Sequence, residues 1–205
     1  MNGADVNAVE EAYWTALHFA CDKGHADVAK VLILNGADVN AVDESKWTAL
    51  HIAARYGHVD VAKVLIQSGA YVSAVDAGKC TALYWAAGEG HIEIAILLLQ
   101  NGADVNAVDY RERAALHIAA KSGHVHVVKV LIQNGADVNA VEEDKWTPLH
   151  RATKNGYVDV AKVLIQNGAD VNAVTKKKST ALHLSTQEGH VDVAKVLIQN
   201  GADVN

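Results

Sequence analysis

Two cysteines, Cys21 and Cys80, are all the thiols in 205 residues. They make neither a disulfide framework nor a C-x-x-C metal spacing. They stand at different phases of an internal period and in non-adjacent repeats, so both are expected to be free, which suits a reducing compartment. Positive charge is also scarce: 18 Lys and Arg against 24 Asp and Glu give a formal net charge of -6. A nucleic-acid binder needs a concentrated basic surface to neutralise phosphates, and the one basic run, Lys176-Lys177-Lys178, reads as a solvated turn. No apolar run reaches the roughly 18 residues that span a bilayer. Residues 1 to 30 lack the basic start and apolar core of a secretory signal, so the expected location is cytoplasmic. No P-loop, dinucleotide fingerprint or nucleophile elbow is present, and no catalytic residue or cofactor site is assigned. With half its positions apolar and a fifth charged, the chain has a folded protein's composition.

What the chain has in abundance is repetition. Asn-Gly-Ala-Asp-Val-Asn occurs at 2–7, 35–40, 101–106, 134–139, 167–172 and 200–205, with the variant Ser-Gly-Ala-Tyr-Val-Ser at 68–73. Copies lie 33 residues apart, and a second signal runs in phase: Thr15-Ala-Leu-His18, Thr48-Ala-Leu-His51, Thr81-Ala-Leu-Tyr84, Ala114-Ala-Leu-His117, Thr147-Pro-Leu-His150 and Thr180-Ala-Leu-His183. Six units result, at 7–39, 40–72, 73–105, 106–138, 139–171 and 172–204, after a partial hairpin at 1–6. Within a unit, Thr147-Pro148 marks a helix start, threonine as N-cap and the only proline at the first helical position. Leu17, Ala20 and Cys21 line one helical face, and Gly24 stands where a left-handed residue ends a helix. Asp27 opens a second helix, in which Val28, Val31 and Leu32 keep helical spacing while Ala29 and Ile33 widen the stripe beyond what one partner covers. Successive helix pairs must therefore stack. The connections from Gly36 to Lys46 and their equivalents read as extended turns or short hairpins.

The Thr-x-Leu-His start, the Gly-His turn and the Gly-Ala-Asp-Val-Asn segment at this period resemble the ankyrin repeat. The resemblance implies a mainly α fold, a solenoid of stacked helix pairs with short β-hairpin connections. It also implies a concave groove of hairpins and first helices that binds a protein partner, and motif histidines hydrogen-bonded to neighbouring hairpin backbone. Hairpin asparagines such as Asn40, Asn106, Asn139 and Asn172 become candidates for hydroxylation. One departure concerns the glycine expected two residues before the motif threonine, where Tyr13, Lys46, Lys79, Glu112, Lys145 and Lys178 stand instead. Ten of the eleven histidines fall on the lattice and read as scaffold; the off-lattice His126, beside His124, is a poor metal pair without further converging ligands.

Positions that differ between units cluster before the motif threonine, after the motif histidine and before the turn glycine. They carry the candidate protein-binding set: Tyr13, Trp14, Trp47, Arg55, Tyr56, Trp85, Tyr110, Arg111, Arg113, Trp146 and Arg151, with Tyr84 in the histidine's place. All four tryptophans and all four arginines are among them. Such residues concentrate binding energy in few contacts. A protein-interaction module is the leading reading, and a structural spacer within a longer array is the alternative. The chain opens and closes on a hexapeptide, which reads as a cut through an array. The last helix is expected to leave Val193, Val196 and Leu197 uncovered, with self-association through the uncapped terminal repeats as a consequence.

Overall fold

In a computed structural model the described residues are 5–204. They fall into two compact units, Met1–Ala86 with Glu93–Asp104, and Ala87–Ile92 with Val105–Asn205. The first holds α1 (Ala16–Asp22), α2 (Ala26–Leu34), α3 (Ala49–Tyr56) and α4 (Val59–Gln67); α5 (Ala82–Glu89) and α6 (Ile92–Gln100) are divided between the units. The second holds α7 (Ala115–Ser122), α8 (Val125–Gln133), α9 (Pro148–Lys154), α10 (Val158–Gln166), α11 (Ala181–Gln187) and α12 (Val191–Gln199). In the first unit α1 packs on α3 and α2 on α4. In the second, α9 packs on both α7 and α11, while α10 packs on both α8 and α12.

The first helices start as the Thr-x-Leu-His motif requires. Thr48 is extended at the N-cap, and its hydroxyl accepts the His51 N–H at 3.4 Å. The His51 Nδ1 in turn accepts the Thr48 N–H at 3.1 Å. Histidine thus takes the part that Glu or Gln plays in the usual capping box. Thr15, Thr147 and Thr180 repeat the arrangement, with Pro148 at the first helical position after Thr147. Beneath the motif, Leu17, Leu50, Leu83, Leu116 and Leu149 are fully buried.

The hexapeptide is legible atom by atom. Its first asparagine closes the second helix, as when the Asn35 Nδ2 donates to the Val31 carbonyl at 2.8 Å. Gly36 follows at φ +92°, left-handed as a helix C-terminus wants. Ala37 and Val39 go into the core. The Asp38 carboxylate accepts the Asn40 N–H at 2.9 Å in a local turn. The last asparagine reaches the next repeat with both ends of its amide: Asn139 donates to the Gly168 carbonyl at 2.9 Å and accepts the Asp170 N–H at 2.8 Å. Asn7, Asn40, Asn106 and Asn172 make the same pair of bonds.

The turn glycine has a second reason. The following repeat's histidine lies over it: a Cβ on Gly24 would sit 2.7 Å from the His58 ring, whose Nε2 donates to the Asp22 carbonyl at 3.0 Å. His124 and His190 do likewise against Gly88 and Lys154, closing carbonyls at the ends of first helices.

The connections are slighter than hairpins. Among the described residues they contribute only isolated antiparallel bridges, such as Val42 to Thr48 and Val108 to Ala114. The residues in the glycine's place settle the turn: Tyr13, Lys46, Lys79, Glu112, Lys145 and Lys178 all hold φ between 59° and 62°. The left-handed residue closes each three-residue loop at the cost of a side chain in a strained region, and two tips bear a second one, Ala12 at φ 66° and Asp144 at φ 63°.

The second helix bears two apolar faces, and burial shows which way each looks. Val28 is 49% exposed, whereas Val61, one period later in the same unit, is 1% exposed; this position faces the preceding layer. Ala161 is buried while Ala194 is half-exposed; that position faces the following one. The expectation for the last helix is corrected accordingly. Val193 and Leu197 are each 0% exposed, since they face inward and back; Val196 is half-exposed, as Val64 and Val130 are in inner repeats, and the exposed apolar residues near that end are Val191, Ile198 and Val204. Val28, Val31 and Leu34 are the open ones at the other end.

Candidate protein-interaction surface

An acidic residue at the start of the connections, replaced by Thr175 only in the last, organises the surface. Asp43, Asp76 and Asp109 recur one period apart, and in each Oδ1 accepts two backbone N–H groups of its own tip: Ser45 and Trp47, Gly78 and Cys80, Arg111 and Arg113. That leaves Oδ2 for a variable side chain. Asp43 takes the Trp14 indole N–H at 3.3 Å, Asp76 takes that of Trp85 at 3.1 Å, and Asp109 takes Arg113 through Nε at 2.7 Å and a terminal nitrogen at 2.6 Å. In the fifth connection Glu142 pairs with Arg151. None of these acids is among the candidate binding residues that the sequence offers. The available signal was an acid retained inside an otherwise variable segment.

Two side-chain groups result, one in each unit. In the first, the Trp47 and Trp85 ring centroids lie 4.7 Å apart, and the Arg55 guanidinium carbon stands 5.3 Å from each. Tyr56, exposed, lies 5.8 Å from the same carbon. Both indoles are half-buried, packed below and open above. Trp14 stands apart from this pair, tilted against Phe19 at 5.0 Å, and Tyr13 is exposed at its tip. Tyr84 differs from the other candidates because its side chain is buried and its N–H bonds the Thr81 hydroxyl as the motif histidine's does elsewhere. It offers a partner almost no surface, although it buttresses Trp85 edge-on at 5.7 Å.

In the second unit Trp146 is half-buried, with the Arg151 guanidinium carbon 4.5 Å above its ring and the Lys154 amine at 5.4 Å. Arg111 lies over Tyr110 at 5.2 Å, both exposed, and Arg113 is half-buried on Asp109. A cavity of about 130 Å³ opens among Arg111, Arg113, Glu142, Trp146 and Arg151, and another of about 290 Å³ adjoins Trp146, Lys154 and Lys177. Burial raises the Glu142 carboxyl above its usual range, against the pull of Arg151, whereas Arg113 and two backbone N–H groups outweigh burial and hold Asp109 below its own.

The histidines are engaged elsewhere. His51 donates its Nε2 hydrogen to the Cys80 carbonyl at 3.1 Å, His117 to that of Ala140 at 3.0 Å, and His150 to that of Ala173 at 3.1 Å. Burial lowers all three from their ordinary pKa, His117 to about 4. Cys21 and Cys80 are buried and not joined in a disulfide, and burial pushes the Cys21 thiol up to about 12, far from a reactive thiolate. Among the described residues no group of three or more His, Cys, Asp or Glu converges as metal ligands would, and no helix is long and apolar enough to cross a membrane.

Sequence comparison matches the family described as "Ankyrin repeats (3 copies)" over residues 1–76, 35–109, 72–142 and 116–205, windows that overlap from end to end. A search of curated proteins found no match. The crystal structure of the human ASB11 ankyrin repeat domain is similar at 30% identity and a TM-score of 0.87, over 94% of this chain and 86% of that one. Matched from end to end by the family pattern and over most of its length by a solved domain, this 33-residue lattice of helix pairs belongs to the ankyrin repeat family, whose members generally serve as protein-interaction modules.

Proposed function

We propose that the chain holds a protein partner on the aromatic and arginine-bearing side chains of its connections and first helices. The observation that carries this reading is the Trp47–Trp85 pair under Arg55. Two large rings are kept half-open to solvent, and a buried acid, Asp76, fixes one by its indole N–H. Rings already ordered lose little conformational entropy when a partner covers them, and such anchors concentrate binding energy. Tyr56 and Arg55 supply the adaptable edge of the surface.

Selection of displayed random peptides on the immobilised full chain tests the proposal. Trp85→Ala should weaken one class of the selected binders by about 2 kcal/mol or more, some thirtyfold, as truncation of a central aromatic anchor does. Leu83→Ala should instead lower stability by roughly 2–5 kcal/mol through lost packing and a residual cavity. Should Trp85→Ala unfold the chain yet leave the affinity of the folded fraction unchanged, Trp85 is core and the proposal fails. A library that yields no binder favours the spacer role.

A further inference from the structure

The second unit's surface differs from the first in chemistry. Its aromatic anchor, Trp146, is bordered by cations on several sides, and two of those cations are held by acids beneath them. Asp109, with a side chain 0% exposed, grips Arg113 along one edge of its guanidinium, and Glu142, 1% exposed, grips Arg151. A guanidinium has five N–H donors, and the pair with Glu142 engages one terminal nitrogen of Arg151. The buried carboxylates therefore orient the two arginines, and Arg151 keeps its other terminal nitrogen for a partner.

Around this pair the charge is not balanced. Arg111, on the smaller cavity, and Lys154 and Lys177, on the larger, have no carboxylate within ion-pair distance among the described residues. Of the acids lining the same cavities, Glu142 is paired with Arg151 and Asp144 with Lys176 at 3.5 Å, which leaves Glu143 and Glu188. The excess is positive, on a chain whose net charge is -6.

We infer that this face recognises an acidic peptide segment, an Asp or Glu carboxylate entering beside Arg111, Arg113 and Arg151 with a neighbouring apolar side chain laid on Trp146. Carboxylates suit guanidinium edges, which offer paired N–H donors in one plane. The cavity of about 130 Å³ has room for a carboxylate group but not for a large side chain, while the adjoining space of about 290 Å³, bounded by Leu184 and the Lys154 amine, accepts the flanking residue. This inference rests on the proposed protein-binding role and specifies its partner.

The same peptide selection decides it. Enriched sequences should carry Asp or Glu next to an aromatic or aliphatic residue. For one such peptide, the double variant Arg111→Ala/Lys154→Ala should weaken binding by about tenfold or more, the scale of a lost charge-assisted bond. Both positions are exposed and neither side chain holds a buried acid, so unchanged circular dichroism is expected. Arg151→Lys, which keeps the charge and loses the forked geometry, should weaken the same peptide, whereas Trp85→Ala should not. Peptides without an acidic preference, or an unchanged affinity in the double variant, would overturn the inference while leaving binding through Trp85 intact. Equal displacement of the peptide by an oligothymidylate strand would overturn it too, by showing a general polyanion surface. A library without binders overturns both readings.

Discussion

Lowering the pH from 7 to 4.5 should destabilise this protein through its motif histidines, and His117 gives the scale. Its Nδ1 accepts the Ala114 N–H at 3.2 Å while its Nε2 donates to the Ala140 and Trp146 carbonyls at 3.0 and 3.3 Å. Only the neutral ring with its proton on Nε2 satisfies both sides, because a second proton would point at a backbone donor. Burial is the largest cause of its depressed pKa, about 4 in place of 6.5. The unfolded chain therefore binds more protons between those values, and stability present above pH 6.5 is lost as pH falls toward 4. A shift of this size corresponds to about 3 kcal/mol from one ring. His18, His51 and His150 are shifted the same way by burial and add to the loss. Glu142 acts oppositely: its carboxyl is raised, so protonation relieves a buried charge and recovers some stability as pH falls through its folded value. Asp109, held low, begins to cost stability only below the ordinary carboxyl range. Urea unfolding followed by circular dichroism should show a midpoint that declines steadily from pH 6.5 downward. Ring-nitrogen NMR should show His117 neutral, with the proton on Nε2, at pH 5.5. A titration midpoint near 6.5 for that ring, or a urea midpoint flat to pH 4.5, would refute the reasoning.

Lys79→Gly should stabilise the fold by about 0.5–1 kcal/mol, because relief of a left-handed side chain outweighs the extra entropy glycine loses on folding; an unchanged or lowered urea midpoint would contradict it. Asn139→Ala removes both bonds to the next repeat, and a loss of about 1–2 kcal/mol is expected. Asn139→Asp, which retains the acceptor alone, should fall between, and equal loss in the two variants would count against the two-ended role.

The helices were readable in advance because one set of chemical requirements recurs in every unit. A threonine cap in five of the six, a leucine beneath it and a glycine at the helix end each answer a local need, and local needs show in spacing. The two faces of the second helix were readable as a width but not as directions. Nothing in the alternation of Val28 and Ala29 tells which looks back along the stack and which forward, so Val193 was expected to be uncovered and lies fully buried. The absent tip glycine raised the opposite difficulty. Its substitutes left the turn undetermined in sequence, yet the backbone keeps the glycine's conformation at all six positions and bears the strain.

The surface residues show why repetition both reveals and conceals a site. Trp85 and Arg151 stand at one lattice position, nine residues after Asp76 and Glu142, and both reach back to that acid. Variation at the position marked them as candidates. The acid itself looked like part of the turn, and in Asp43, Asp76 and Asp109 half of it is: one oxygen holds the tip backbone. The other oxygen holds whatever donor the variable position supplies, an indole in one unit and a guanidinium in the next. A single acid thus serves the fold with one atom and orients the exposed surface with the other, and sequence reports residues, not atoms. The consequence for Tyr84 is the reverse. It varies like a contact residue, but it fills the buried place of a histidine and acts on the surface only through the Trp85 ring it supports.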